Sequence, residues 1–574
     1  MSLLTEFKRR GVARVIASYA VVAWLLIQII VSVEEPLGLP TWSDTFVIVA
    51  LIAGFPICAV IAWLYDFTDR GIERTVTSGA TQEHVALTRA DVMTLYGTLA
   101  ATVFVLGTAG WMLLANSPRS LETIAILPFE LVMTDEETDY LGESIRDSLI
   151  RRLSRLENLR IKTMSSNEAE AVEAHRLGEL LGVDAIAQGS IRQIGNTFEI
   201  SAELIADDGS ILWRDAYSSE VASLLEIESR ICVELASRLG RELSATEELA
   251  LRREPTSNTA AYNLYNRARF YWNRRSTAAF LESIDLYNRA TGLDPNFALA
   301  HAGLASTYLM LLGWGVQPPT EVAGMIVQSA NLAIQRDSTL AEPHAVLGYY
   351  NTIYEMDWDR ARAEFLTAIE LDNNYSSTHH WYAFLLLTEG NYSAAVDSIL
   401  LARDLEPMSY IINAEVGAFL MYDGQYQRAL EELESALTLD PNYVSTVAYL
   451  MRAHTLLGNT AAALEQVARW RQVRGDNLLM SIYGAIPLPM LGLEDEAREV
   501  YSEALTIAQE VYVQPGLLGL LAAALGDLDA AFEHFDAALA EGSLILSWLR
   551  EPLLEDLQAD PRFETLLVAM GLEP

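Results

Sequence analysis

The sequence predicts a multi-domain chain: three transmembrane helices, then a small mixed α/β domain, then an all-α solenoid. Three observations predict it. Three uncharged apolar runs fall within the first 115 residues. From Thr123 the apolar spacing switches between strand and helix periods. From about residue 259 a pattern of glycine, alanine and bulky side chains recurs every 34 residues.

The apolar runs are Val15–Val33, Thr45–Tyr65 and Val92–Ala115, inside a membrane domain over residues 1–116. Each has about 19 residues or more, enough for a helix to cross a hydrocarbon core of about 30 Å. The first is not a cleaved signal peptide, because it lacks a small-x-small exit and is followed by Glu34-Glu35-Pro36 and a second span. Lys8, Arg9, Arg10 and Arg14 precede the first span, and Arg70, Arg74 and Arg89 lie between the second and third. That asymmetry puts the N-terminus and the 66–91 loop in the cytoplasm and residues 116–574 outside it. Gly97, Gly107 and Gly110 in the third span would permit close helix approach and a homo-oligomer.

The net charge of −38 falls almost wholly after residue 120, since residues 1–120 hold eight Lys/Arg and nine Asp/Glu. So acidic a surface repels phosphate backbones and excludes nucleic acid as a partner. With only Cys58 and Cys232, far apart in sequence, neither an intramolecular disulfide nor a cysteine-based metal cluster is expected.

Residues 120–245 read as β-α-β-α-β-β-β-α. Thr123–Phe129 is a buried strand, and Asp139–Leu156 places Leu141, Ile145, Leu149, Leu153 and Leu156 on one helical face. Leu159–Met164 and Asn167–Leu181 follow as strand and helix. Asp184–Ile194, Thr197–Ala206 and Ser210–Ser219 are strands, the last two joined at Asp207-Asp208-Gly209, and Leu224–Leu239 closes the domain. The opposite face of helix Asp139–Leu156 carries Arg146, Arg151, Arg152 and Arg155, a docking surface for an acidic partner or lipid headgroups.

Residues 255–543 hold about eight repeats. Gly390, Gly424, Gly458, Gly492 and Gly526 are 34 apart, as are Ala361, Ala395, Ala429, Ala463, Ala497 and Ala531. Phe365, Ile399, Leu433, Val467, Tyr501 and Phe535 keep the same interval. This is the tetratricopeptide period: glycine turns helix A into helix B, alanine lets the two approach, and the bulky residue fills the space between hairpins. Residues 544–574 are expected to cap the stack. Aligning the units puts Tyr350, His380, Phe384 and Arg452 on helices A, which line the concave groove, as candidates for partner binding.

"IAILPF", "YLGESIRDSLIRRLSRLENLRI", "RLGELLGVDAIAQGSIRQIGNTFEISAELI" and "DDGSILW" resemble the TolB-like amino-terminal domain. The N-terminal "EFKRRGVARVIASYAVVAWLLIQII", "GFPICAVIAWLYDFT" and the final "DPRFETLLVAMGL" resemble bacterial envelope proteins built as membrane anchor, TolB-like domain and tetratricopeptide repeats. The resemblance implies a multi-pass protein of the bacterial inner membrane with a periplasmic ectodomain. Similar ectodomains occur in CadC-like sensors, and related modules in some class III adenylate cyclases. Neither a winged-helix nor a cyclase domain is visible here, so those activities do not carry over. Glu130-Leu131-Val132-Met133 departs from the polar turn the family has after "LPF".

No catalytic, cofactor-binding or metal-ligating constellation emerges. G-x-x-x-x-G-K-[ST] and G-x-S-x-G are absent, and the loop Glu130–Asp139 is anionic where a phosphate would need donors. Asp135–Asp139 lacks calcium-loop spacing, and His379 and His380 diverge by about 100° on one helix. The sequence therefore points to a non-catalytic, membrane-anchored scaffold or receptor for protein or peptide partners. The alternative is a sensory subunit relaying an envelope signal, and a further class is an enzyme with an unrecognised α/β site.

Overall fold

The computed structural model describes residues 121–573 apart from 133–137, 157, 165–173, 195–196, 221–223, 241–242, 476–477 and 543–547. Of the preceding chain it describes residues 12–33, 65–68, 71–74 and isolated positions between 47 and 58. The chain divides into two compact units, Met1–Arg119 and Ser120–Pro574.

The first unit corrects the expected membrane domain. Among the described residues no helix is long and apolar enough to cross a membrane. The first expected span lies in helix α1 (Val12–Val33). Tyr65, the expected end of the second span, opens strand β1 (Tyr65–Thr68), which pairs antiparallel with β2 (Gly71–Arg74). The third span, with Gly97, Gly107 and Gly110, lies outside the described residues. Three transmembrane helices are thus replaced by a mostly helical solenoid with a small α/β region as the fold class. The multi-pass inner-membrane placement falls with them.

The second unit begins with β3 (Thr123–Ile126) and β4 (Glu130–Val132), then α2 (Leu141–Leu153), β5 (Arg160–Thr163) and α3 (Ala174–Leu181). It continues through β6 (Ala185–Ile194), β7 (Thr197–Ala206), β8 (Ile211–Glu220), α4 (Leu224–Arg238) and α5 (Ala245–Arg252). The sheet order is β5-β3-β6-β7-β8, with β4 also on β6. β5, β3 and β6 run parallel, and β6, β7 and β8 antiparallel. Alternation along β3 sends Ile124 and Ile126 to the face covered by α2 and α4, and Ala125 and Leu127 to the face covered by α3. α2 buries Leu141, Ile145, Leu149 and Leu153 against that first face.

The rest is helical, in antiparallel hairpins: α6 (Thr259–Asn273) with α7 (Thr277–Leu293), α8 (Ala298–Gly313) with α9 (Pro319–Arg336), and α10 (Ala341–Tyr350) with α11 (Trp358–Leu371). Next come α12 (Ser376–Thr388) with α13 (Tyr392–Leu405), α14 (Tyr410–Tyr422) with α15 (Tyr426–Leu439), and α16 (Val444–Leu456) with α17 (Thr460–Val473). The last pairs are α18 (Leu478–Ala485) with α19 (Glu494–Ile507) and α20 (Pro515–Ala524) with α21 (Leu528–Glu541). Short helices α22 (Glu555–Ala559) and α23 (Pro561–Ala569) end the chain.

The recurrent glycines stop the last five helices A. Gly390, Gly424, Gly458, Gly492 and Gly526 all have φ between 72° and 79°, the left-handed region where a side chain is strained. At Gly424 the hydrogen bonds Gly424 N–H to Met421 O (3.1 Å) and Gln425 N–H to Leu420 O (2.9 Å) close the helix end. The alanines at 361, 395, 429, 463, 497 and 531 are fully buried, where helix B meets helix A. Inside α14, Gly417 lets Leu433 approach so closely that a Cβ at 417 would stand 2.3 Å from its Cγ.

These two glycines separate two costs. Gly424→Ala meets no atom within 4 Å, so it should cost about 1 kcal/mol through its backbone alone. Gly417→Ala is expected to cost about 1–3 kcal/mol by overpacking. Thermal or denaturant unfolding of the two variants checks the order.

Candidate functional site

The arginine face of α2 does not look outward. Arg146 and Arg152 are only 8% and 5% exposed. Arg146 donates to Asp147 Oδ1 (2.7 and 2.9 Å) and to Met164 O (2.9 Å). Arg152 donates to Leu251 O (2.5 Å) and Arg253 O (3.1 Å), backbone carbonyls at the end of α5. Arg151 donates to Tyr265 Oη (3.3 Å) and lies 5.8 Å from that ring. The expected docking face is therefore turned into the solenoid, because the repeats cover it.

Polar contacts fasten the α/β region to the repeats. Asn374 donates to Leu159 O (2.8 Å) and accepts from Ile161 N–H (3.2 Å), closing the free edge of β5. Lys162 and Arg160 reach Asp404 at 2.8 and 3.0 Å. Ser154 donates to Asp372 (2.8 Å) and Asn273 to Glu143 (3.2 Å). Tyr262 donates to the fully buried Glu228 (2.5 Å), whose carboxyl is raised above its ordinary value by burial, against the hydrogen bonds from Ser148 and Tyr262.

Between α2 and the repeats a cavity of about 740 Å³ remains. The first turns of α10, α12 and α14 border it through Glu342, Ser376 and Tyr410. Six arginines line it: Arg146, Arg151, Arg155, Arg269, Arg274 and Arg275. Arg269 pairs with Glu342 (3.1 Å); burial pulls its guanidinium down, but Glu342 together with Tyr287, Tyr265 and Asp147 outweighs that and holds it well above its ordinary value. Burial lowers Arg155, with Asp337 opposing and Arg151 adding to the fall. Burial lowers Arg275 likewise, with Glu406 opposing.

The four groove candidates lie farther along the helix-A wall, where the chain supplies their partners. Tyr350 is 4% exposed and donates to Glu355 (2.7 Å). Phe384 packs between Tyr349 (5.9 Å) and Phe419 (5.1 Å). His380 is half-buried, its Nε2 hydrogen-bonded to Glu415 on α14. Arg452 is fully buried and ion-paired with Glu551, a residue of the C-terminal segment. Its guanidinium stacks on Tyr483 at 4.6 Å, and Tyr422 also donates to Glu551 (3.2 Å). Burial pushes the Glu551 carboxyl up and the Arg452 guanidinium down.

The C-terminal segment thus lies on the wall. Trp548 meets Tyr483 with ring centroids 4.6 Å apart, and Trp358 Nε1 donates to Met570 O (2.9 Å). Sequence reasoning missed Glu551 and Arg275. The second had a signal: Arg274-Arg275-Ser276 stands between two helices where later hairpins carry glycine. Among the described residues no group of three or more His, Cys, Asp or Glu could hold a metal ion.

Residues 420–479, from the end of α14 to the start of α18, match the tetratricopeptide repeat family, and the hairpins there are of that class. A Rhizobium meliloti (strain 1021) protein named "Putative adenylate cyclase 3" is 25% identical over 245 residues. That stretch is 42% of this chain and 40% of the relative, so the chain spans less than half of that protein. Among solved structures, the human IFIT1 dimer with m7Gppp-AAAA is similar at a TM-score of 0.39 and 13% identity, over 55% of this chain and 77% of that one. Pseudomonas aeruginosa pilF gives 0.29 and 18%, over 37% and 94%. A thermophilic TPR protein of Thermus thermophilus gives 0.29 and 17%, over 33% and 98%.

The buried pair makes a double-mutant test. Arg452→Met alone should cost about 3–5 kcal/mol, because it leaves Glu551 buried and uncompensated. Adding Glu551→Leu should recover most of that loss. Chemical denaturation of the two single variants and the double variant checks the coupling.

Proposed function

We propose that this chain is a non-catalytic scaffold or receptor that takes protein or peptide segments on its helix-A wall, beside a TolB-like α/β domain. The observation that carries this reading is the chain's own tail. Trp548 and Glu551 lie on that wall against Tyr483, Tyr422 and Arg452. Their contacts are those of an aromatic anchor and a desolvated carboxylate, the chemistry a partner segment would bring. The His380–Glu415 pair, with side chains 15% and 18% exposed, is the polar pair we assign to reading a partner. A second reading, a sensory or regulatory module, is favoured by the stretch shared with the protein named as an adenylate cyclase.

Cross-linking of the full chain in its own cells should identify a specific protein partner, with cross-links falling on α12 and α14. His380→Ala should lower affinity for that partner about tenfold, or about 1.4 kcal/mol, with little change in melting temperature. Partner binding indifferent to His380 and Glu415, or turnover of a substrate by the purified chain, would overturn the reading.

A further inference from the structure

The charge balance of the cavity beneath α2 departs from that of the whole chain. Over the whole sequence 39 Lys/Arg face 77 Asp/Glu. On the cavity lining six arginines face five carboxylates, those of Glu143, Asp147, Glu342, Asp372 and Glu406. Three of the arginines are matched by acids: Arg146 by Asp147 (2.7 Å), Arg269 by Glu342 (3.1 Å) and Arg274 by Asp139 (3.8 Å). The other three, Arg151, Arg155 and Arg275, form no ion pair within 4 Å among the described residues.

Two of these, Arg151 in the last turn of α2 and Arg155 in the turn that follows it, carry like charges that repel. Arg275 is more unusual. Its φ of 48° lies in the left-handed region, a strained conformation for a side-chain-bearing residue. The equivalent turns of the five last hairpins use glycine. The guanidinium stacks 3.7 Å from the Trp272 ring and donates to the sulfur of Met310 (3.4 Å), a weak acceptor. A strained, half-buried cation held by a ring and a thioether is a costly arrangement for stability alone.

We infer that this cavity binds a small anionic ligand, a carboxylate- or phosphate-bearing molecule with an aromatic or apolar body, gripped by Arg151, Arg155 and Arg275. Arginine forks match either oxyanion. Tyr265, Trp272 and Tyr410 supply surface for the ligand's body. At about 740 Å³ the cavity falls within the range of about 300–1,000 Å³ for small-molecule sites. The inference does not rest on the partner-binding wall, since none of its three arginines touches His380 or Glu415.

Calorimetry and thermal unfolding of the full chain test it, with AMP as the phosphate probe, citrate as the carboxylate probe and adenosine as the neutral control. At least one anion should bind saturably and raise the melting temperature, more weakly as salt increases, while adenosine does neither. AMP alone would assign a phosphate, citrate alone a carboxylate, and both a site that reads charge. Arg275→Gly should lower affinity tenfold or more without lowering the melting temperature of the free protein, because glycine suits φ 48°. The double variant Arg151→Gln/Arg155→Gln should lower affinity similarly. The inference is overturned if neither anion binds at millimolar concentration, if adenosine binds as well as AMP, or if binding survives in both variants.

Discussion

Helix α2 is buried on both sides, and the second unit depends on that constraint. Its leucines and Ile145 complete the core on one face of the sheet, where each buried aliphatic side chain contributes about 1.5–3 kcal/mol. Its arginines face the repeats. Desolvating a guanidinium costs several kcal/mol unless its N–H groups find acceptors. Hence Arg146 and Arg152 both end on backbone carbonyls. Carbonyls at the end of α5 and just after β5 become the acceptors, while Ser154 to Asp372, Asn273 to Glu143 and Asn374 to Leu159 O hold the α/β region to the solenoid by hydrogen bonds with fixed direction.

The repeats add a second constraint. Glycine at the end of the last five helices A and alanine on the last six helices B set the hairpins at a short spacing, and bulky residues such as Phe365, Leu433 and Phe535 pack onto glycines of helix A in their own hairpin. The stack therefore presents a wall of A helices whose polar groups need cover. Part of the cover is α2 and part is the C-terminal segment, which brings Glu551 to Arg452 across 99 residues of sequence. The early and late stretches of the wall are thus occupied by different parts of one chain, and His380 with Glu415 lies between them.

Much of this was legible in the sequence, because period is local information. The 34-residue interval located the turn glycines, all of which adopt positive φ. The alternation in Thr197–Ala206 and the spacing in Asp139–Leu156 gave a mixed sheet with a helix on it, and β7 and α2 stand there. What failed has a common cause. Hydropathy over 15–33, 45–65 and 92–115 reports that a run avoids water, not what surrounds it, and Tyr65 begins a strand. Likewise the arginines of α2 were recognised as a polar face, but a helix does not encode whether solvent or a second structural layer meets that face. Arg452 needed a partner, and no periodicity points to a glutamate 99 positions away.

The helical period also divides the labour among the arginines of α2. At about 100° per residue, Arg151 lies about 140° from Arg146, and Arg155 follows in the turn just after the helix. Arg152, about 100° beyond Arg151, points toward the end of α5. Rotating α2 to neutralise Arg151 would pull Arg146 and Arg152 from their carbonyls and Ile145 from the sheet. That charge is therefore held over the cavity by the packing of the other faces. An acidic chain of net charge −38 has carboxylates enough to pair every arginine it contains. Among the described residues Arg151, Arg155 and the strained Arg275 nevertheless form no ion pair, which is the condition under which a preorganised cationic site can exist.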